Sequence, residues 1–387
     1  MPIKNRFAEL LPEITAWRRD LHEHPEILFE THRTSGVVAE KLRAFGCDEV
    51  VEGIGRTGVC GLIKGKGKSG RTIGLRADMD ALPILEATGL EYASKTPGSM
   101  HACGHDGHTA MLLGAAQYLC ETRNFDGDVL VIFQPAEEGG GGGREMVEDG
   151  MLDRWGVEEV YGMHNWPGME TGKFAIRPGA FFAATDTFEI TLEGRGGHAA
   201  KPHDTVDTTV MASHVVIALQ SVVSRNVDPV KQAVLSVTSF ETSSNAFNVI
   251  PQTVTLRGTV RTLDADIRKL VEARIKAIVP ATAEAYGGTS GINYMLGYPV
   301  MVNSNEQTDF AADVARAVSG DCADAPQVMG GEDFAYMLEE RPGAYILVGN
   351  GDTASVHHPE YNFNDEAIPA GCSWWTEIVE RRLPLAS

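Results

Sequence analysis

Val129-Leu-Val-Ile-Phe-Gln-Pro-Ala-Glu-Glu138 is the stretch whose reading decides the fold. Val129 to Phe133 is apolar throughout, with no polar alternation, as in a strand buried on both faces. Such strands lie at the centre of parallel sheets covered by helices, so the chain reads as α/β, with a mostly parallel central sheet and flanking helices. The strand stops at Gln134-Pro135, and two adjacent carboxylates follow, Glu137 and Glu138. The five glycines after them, Gly139 to Gly143, let backbone approach closely. No Lys-Ser/Thr pair follows the glycines, which removes a phosphate-binding loop from consideration.

The same placement recurs outward from this stretch. Thr72 to Ala77 reads as a strand running into Asp78-Met-Asp80-Ala-Leu-Pro83, and Glu158 to Met163 as another running into His164-Asn-Trp-Pro167. Ala344 to Val348 is a strand followed, after a glycine-rich turn, by Val356-His357-His358-Pro359. Polar residues just past strand ends occupy the positions where open α/β sheets build their sites. Any one of them could be a turn or a cap; their recurrence argues for a site.

Between these strands lies Met100-His-Ala-Cys-Gly-His-Asp-Gly-His-Thr109, with a thiol and three imidazoles in eight residues. Apolar spacing makes 108–120 a helix, so the Cys-Gly-His triplet lies in the loop entering it. Cys103 and His105 are spaced to bind through one tight turn, with Gly104 leaving room. Asp106 can cap the helix or orient an imidazole, and His108 reads as structural. A thiolate, imidazoles and carboxylates form the ligand set of a borderline-soft divalent metal. A further carboxylate beside the ligands is what metal-assisted hydrolysis needs as a base.

Residues 5–46 read as two amphipathic helices, with His22, His24 and His32 as surface or capping residues. Residues 186–298 change character: the predicted order β-α-β-β-α-β is a split βαβ (ferredoxin-like) unit, one antiparallel sheet with two helices on one face. This predicts an inserted domain at 186–298 within a first domain formed by 1–185 and 299–387. In the insert, Arg195-Gly-Gly-His198 presents a histidine on a glycine-rich turn, Asn248 precedes the stop at Pro251, and Arg261 ends a strand where it could meet a carboxylate or form a surface ion pair. Gly330-Gly-Glu-Asp-Phe334 is a polar turn before a short helix.

The chain has 387 residues, 43% hydrophobic and 22% charged, with a net charge of −20. That charge argues against nucleic acid or an anionic membrane as a partner. No run of about 20 apolar residues suggests a membrane span, and the start lacks the apolar core of a secretory signal. The six cysteines, at 47, 60, 103, 120, 322 and 372, lack framework spacing. A cytoplasmic protein with reduced thiols is expected, five of them buried as small apolar residues and Cys103 the exception.

Taken together, Leu75-Arg-Ala-Asp-Met-Asp-Ala-Leu-Pro83, Met100 to Thr109, Gln134 to Glu138, Met163 to Pro167, Gly194 to His198, Phe247 to Pro251 and Val356 to Pro359 resemble, in order and over nearly the whole chain, the zinc-aminopeptidase-like amidohydrolases. The resemblance is to the branch holding hippurate hydrolase, N-acyl-amino-acid hydrolases and auxin-conjugate hydrolases. It implies two divalent metal ions per subunit, zinc or manganese first and cobalt or nickel next, held by Cys103, His105, Glu138, His164 and His357, with Cys103 as the bridge. It further implies Glu137 as general acid/base, His198 and Asn248 as substrate-binding residues of a lid, and a homo-oligomer formed through that lid. Where the wider clan has a His-x-Asp ligand motif, this chain has Asp78-Met79-Asp80, so both aspartates are expected behind the ligands.

The expected reaction is hydrolysis of the amide bond of an N-acyl amino acid, with an aromatic acyl group such as benzoyl first and an N-acetyl-amino-acid deacylase or dipeptidase as the close rival. The rival from another class is a non-catalytic metal- or small-molecule-binding protein, which has no use for a non-ligand carboxylate at Glu137.

Overall fold

The computed structural model describes residues 4–385. The chain forms two compact units, one of Met1–Gly179, Val302–Pro326 and Asp333–Ser387, the other of Ala180–Met301 and Gln327–Glu332.

In chain order the first unit opens with helices α1 (Asn5–Glu23) and α2 (His32–Phe45) and strands β1 (Glu49–Ile54), β2 (Gly58–Lys64) and β3 (Gly67–Asp78). Helix α3 (His105–Thr122), strand β4 (Asp126–Gln134), helix α4 (Gly142–Glu148) and strands β5 (Val157–Pro167) and β6 (Phe174–Ile176) follow. The eight-stranded sheet has the order β1-β2-β4-β3-β5, then Gly343–Gly351, β6 and Ala323–Asp324. β4, β3, β5 and Gly343–Gly351 are mutually parallel, whereas β1 and β2 join antiparallel at one edge. β4 is therefore interior, parallel to β3 on one side and antiparallel to β2 on the other. Val129 to Gln134 are all buried, as a strand covered on both faces requires.

Phe7, Leu10, Ile14 and Trp17 of α1 enter one core with Val38 and Leu42 of α2 and Ala110 to Leu113 of α3. α3 is apolar around its circumference and is buried accordingly. Because α1 packs on it, His22 is not on the surface as expected but fully buried. Its Nδ1 lies 2.8 Å from Asp106 Oδ2 and its Nε2 3.3 Å from Glu86 Oε1. Burial opposes the charged imidazolium, but these two carboxylates lift His22 to about 9. Cys47 and Cys322 are half-buried rather than buried.

The second unit has a four-stranded antiparallel sheet, in the order Ala233–Thr242, Thr253–Thr262, Ala184–Glu193, Thr289–Leu296. Alternate residues Val254, Leu256 and Val260 pack with Met211, Val215 and Leu219 of helix Thr208–Ser221 and Val271, Ile275 and Val279 of helix Ala265–Ala285. Both helices start on an aspartate cap, Asp207 and Asp264. Asp186 is buried and accepts hydrogen bonds from Arg268 Nε at 3.1 Å, Tyr294 OH at 2.9 Å and Gly297 N at 3.1 Å. Among the described residues no helix is long and apolar enough to cross a membrane.

Candidate metal centre

Parallel register sets the site. Asp78 of β3 pairs with Gln134 of β4, and Arg76 with Gly162 of β5, so three strands run out at one edge of the sheet. The turns beyond β3 and β4 carry Asp80 and Glu137 with Glu138, whereas His164 stands within the last residues of β5. Gly104, at φ +89°, turns the chain into α3, where His105 is the first residue; a β-carbon is disfavoured in that left-handed region.

Side-chain ligand atoms of Cys103, His105 and His164 lie within 4.8 Å of one another, as do those of Cys103, Glu138 and His357, and those of His105, Glu137 and Glu138. The five expected ligands are thus brought together, and Cys103 belongs to two of the groups. Cys103 Sγ is 3.4 Å from His164 Nε2, and His357 Nε2 is 3.2 Å from Glu138 Oε1. His105 Nε2 stands 4.0 Å from both Glu137 Oε2 and Glu138 Oε1. His357 sits at φ +66° and its amide donates to Ala102 O at 2.7 Å, which fixes it beside the Cys103 loop.

A scaffold of hydrogen bonds stands behind these groups. Asp80 accepts from the amides of Glu137 and Glu138 at 2.9 and 3.0 Å, and its Oδ1 is 3.4 Å from His105 Nδ1. Asp78 Oδ1 lies 2.6 Å from His108 Nδ1, and His108 Nε2 accepts from the Asn165 amide at 2.9 Å. Both His108 nitrogens are therefore engaged, although Asp78, His105 and His108 also present ligand atoms within 4.8 Å of one another. His164 Nδ1 lies 2.6 Å from Asn165 O, so the ring directs Nε2 towards Cys103. Asn165 donates from Nδ2 to Cys103 O at 2.6 Å and accepts from Tyr361 OH at 2.7 Å. Asn165 and Tyr361 were not singled out by sequence; the only signal was Asn165 lying next to His164.

Protonation follows from burial and neighbours. Burial, and then the carboxylates of Glu138, Glu137 and Asp78, push the Cys103 thiol well above its ordinary value. Burial opposes charge on His105, but Asp78, Asp80 and Glu138 lift it to about 10. Burial and the neighbouring His108 push His164 well down. Burial raises Asp80, whereas His105, His108 and Arg76 overcome burial and hold Asp78 well below the usual carboxylate range.

The donor set fits a cation. Nε2 of His105 is buried without a hydrogen-bond partner, a state that ordinarily calls for an ion or water. Carboxylates crowded around a thiol are also the arrangement that a bound cation reverses, favouring thiolate. These residues support divalent-metal binding.

His198, Asn248 and Arg261 belong to the second unit. His198 pairs with Val249 in a short ladder, and the Ala199 amide donates to Asn248 O at 3.0 Å, so His198 and Asn248 are neighbours, both exposed. Arg261 is half-buried and donates to Thr259 Oγ1 and Val260 O. It has no carboxylate partner among the described residues.

Residues 74–381 match Peptidase family M20/M25/M40. The chain is 42% identical over 378 residues to a hippurate hydrolase of Campylobacter jejuni, covering 97% of this chain and 98% of the relative. It is 40% identical to an N-acetyl-L-cysteine deacetylase of Bacillus subtilis over 97% and 89% of the two chains. The crystal structure of a Bacillus subtilis protein described as a dinuclear metal-binding peptidase of the M20 family superposes with a TM-score of 0.85 at 33% identity, over 97% of this chain and 99% of that one. The chain belongs to Peptidase family M20/M25/M40.

Proposed function

We infer that the chain is a metal-dependent amidohydrolase that cleaves N-acyl amino acids to a carboxylic acid and a free amino acid. The observation that carries this reading is the unequal carboxylate pair: both glutamates stand 4.0 Å from His105, but Glu138 alone also groups with Cys103 and His357, leaving Glu137 beside the ligand cluster. A non-catalytic metal-binding protein has no role for the second carboxylate.

Cys103, His105, Glu138, His164 and His357 would hold two divalent ions per subunit, zinc or manganese first. When bound, such ions lower the pKa of water from 15.7 to about 7 and polarise a carbonyl. Glu137 takes the proton of the attacking water on a carboxylate oxygen and returns it to the nitrogen of the leaving amine. Asp80 holds the Glu137 amide, so the base cannot swing with its loop. The roles proposed for His198 and Asn248 are to bind the substrate, and for Arg261 to meet the substrate carboxylate. We assign the lid role to the insert read at 186–298, with homo-oligomerisation through it, in a cytoplasmic enzyme.

An aromatic acyl group is the first choice, since the hippurate hydrolase is 42% identical over nearly the full chain. An N-acetyl group is the second, favoured by the deacetylase at 40%. The test is amino-acid release from hippurate, several N-acetyl amino acids, an indole-acetyl conjugate and dipeptides, with chelator and then with Mn²⁺ or Zn²⁺ restored. Metal-dependent release, highest from hippurate, is expected. Release from acetylated substrates alone moves the acyl preference, and no release by metal-loaded protein overturns the reading.

A further inference from the structure

Asp333, in the polar turn before helix Ala335–Glu340, has no part in the reaction described above, yet it is completely buried. Its carboxylate accepts from Gln134 Nε2 at 2.7 and 2.8 Å, from the Gly143 amide at 2.8 Å and from Arg76 at 3.0 Å. Arg76, buried as well, also donates to Gln134 Oε1 at 2.8 Å and to Asp78 Oδ2 at 2.7 Å.

Gln134 is the last residue of β4 and Gly143 lies in the first turn of α4. Everything between them is the loop that carries Glu137 and Glu138. One carboxylate therefore grips the loop at its entry and its exit, while Asp80 grips its middle through the two glutamate amides. The loop needs such restraint. Ala136 sits in the left-handed region at φ +54°, which is costly for a residue with a β-carbon. The turn also closes so tightly that a β-carbon on Gly142 would lie 1.8 Å from Pro135 O. Gly143 is bare for the same reason: its β-carbon would meet Asp333 O at 2.9 Å and the carboxylate at 3.2 Å.

We propose that Asp333 is a positioning residue for the hydrolysis, fastening both ends of the Pro135–Gly142 loop and so fixing Glu137 against the metal ligands. The proposal rests on the amidohydrolase reading for its kinetic consequence, but not for its structural one. Displacing a reacting group by about 1 Å can cost about 10²-fold in rate.

The variants are Asp333→Asn, isosteric but placing an amide donor among donors, and Gly143→Ala, which leaves the charge and pushes it away. In metal-loaded enzyme each is expected to lower kcat about 10²-fold with KM within about threefold and metal content unchanged. Amide exchange read by mass spectrometry is expected to quicken in peptides covering 135–143 and not in the strands. The double variant is expected to lose no more than the worse single one, because both break one device. Wild-type kcat, wild-type exchange in the loop, or exchange quickened equally throughout the first unit would each overturn the proposal. If wild-type protein hydrolyses nothing on the panel, the amidohydrolase reading fails, and loop exchange still decides whether the clamp exists.

Discussion

Gly104→Ala is a perturbation whose cost can be worked from the geometry. Gly104 lies at φ +89°, and a β-carbon there would sit 2.2 Å from Asn165 Nδ2 and 2.5 Å from Tyr361 OH. The left-handed backbone alone costs about 1–2 kcal/mol for a residue with a β-carbon. Asn165 must also move, and it holds Cys103 O at 2.6 Å and Tyr361 OH at 2.7 Å. Each buried hydrogen bond left unmade costs about 1–3 kcal/mol, so the total is about 4 kcal/mol, allowing for partial relaxation. For the roughly 260 residues of the first unit, at about 2.1 cal/mol/K per residue, this lowers the melting temperature by about 7 °C. Gly46→Ala is the control: it sits at φ +87° with nothing within 4 Å of the added carbon, so it carries the backbone term alone, about 2–4 °C by the same conversion. Calorimetry of both variants, with metal content and turnover measured alongside, reads the difference. Gly104→Ala is expected to melt lower than Gly46→Ala and to bind metal more weakly, because Cys103 and His105 flank it. Equal melting of the two variants with undiminished metal affinity would refute the idea that Asn165 and Tyr361 brace the ligand turn.

Glu137→Gln is expected to lose about 10²–10⁴-fold in kcat while keeping the wild-type metal content, since Glu137 is the carboxylate assigned to proton transfer rather than ligation; near-normal turnover in the loaded state would remove that assignment. His22 carries a pH signature. Its folded value of about 9 lies above an unfolded value of about 6.5, so its stabilisation is complete below pH 6.5 and is lost as pH rises through 9, to the extent of roughly 3 kcal/mol. The stability gap between wild type and His22→Gln in denaturant melts is therefore expected to be wider at pH 6 than at pH 10 by about that amount; a gap independent of pH would contradict it. In the second unit, Asp186→Asn withdraws the charge that faces Arg268 and Tyr294 and is expected to cost about 3–5 kcal/mol, read as earlier denaturant unfolding of the insert by near-ultraviolet circular dichroism on its tyrosines.

What sequence could and could not disclose follows from how far each contact reaches along the chain. β4 was legible because its burial on both faces is written in consecutive apolar residues, and the insert because a period of two alternates with a helical period. The candidate ligand residues stood out because four strand ends and one helix entry each carry their polar groups within a few positions of an apolar run. His22 was misread because α1 alone shows an amphipathic helix ending in polar residues; only the packing of α1 on α3 places it against Asp106, 84 residues on. Asp333 was seen as part of a polar turn, but nothing local says that it meets Gln134 across 199 positions. The same limit explains Gly104. Its need for space is visible in the Cys-Gly-His spacing, but the atoms filling that space come from β5 and from Tyr361. Candidate metal ligands can be nominated from chemistry alone because their residue types are rare and their purpose restrictive. The groups that hold ligands still are ordinary Asp, Asn, Gln and Arg side chains, distinguished only by being buried and fully engaged. A buried Arg76 joining Asp78, Gln134 and Asp333 ties the turn behind the histidines to the loop of the glutamates. The two halves of the centre are thus braced by one charge network, and a change in either half is expected to be felt in the other.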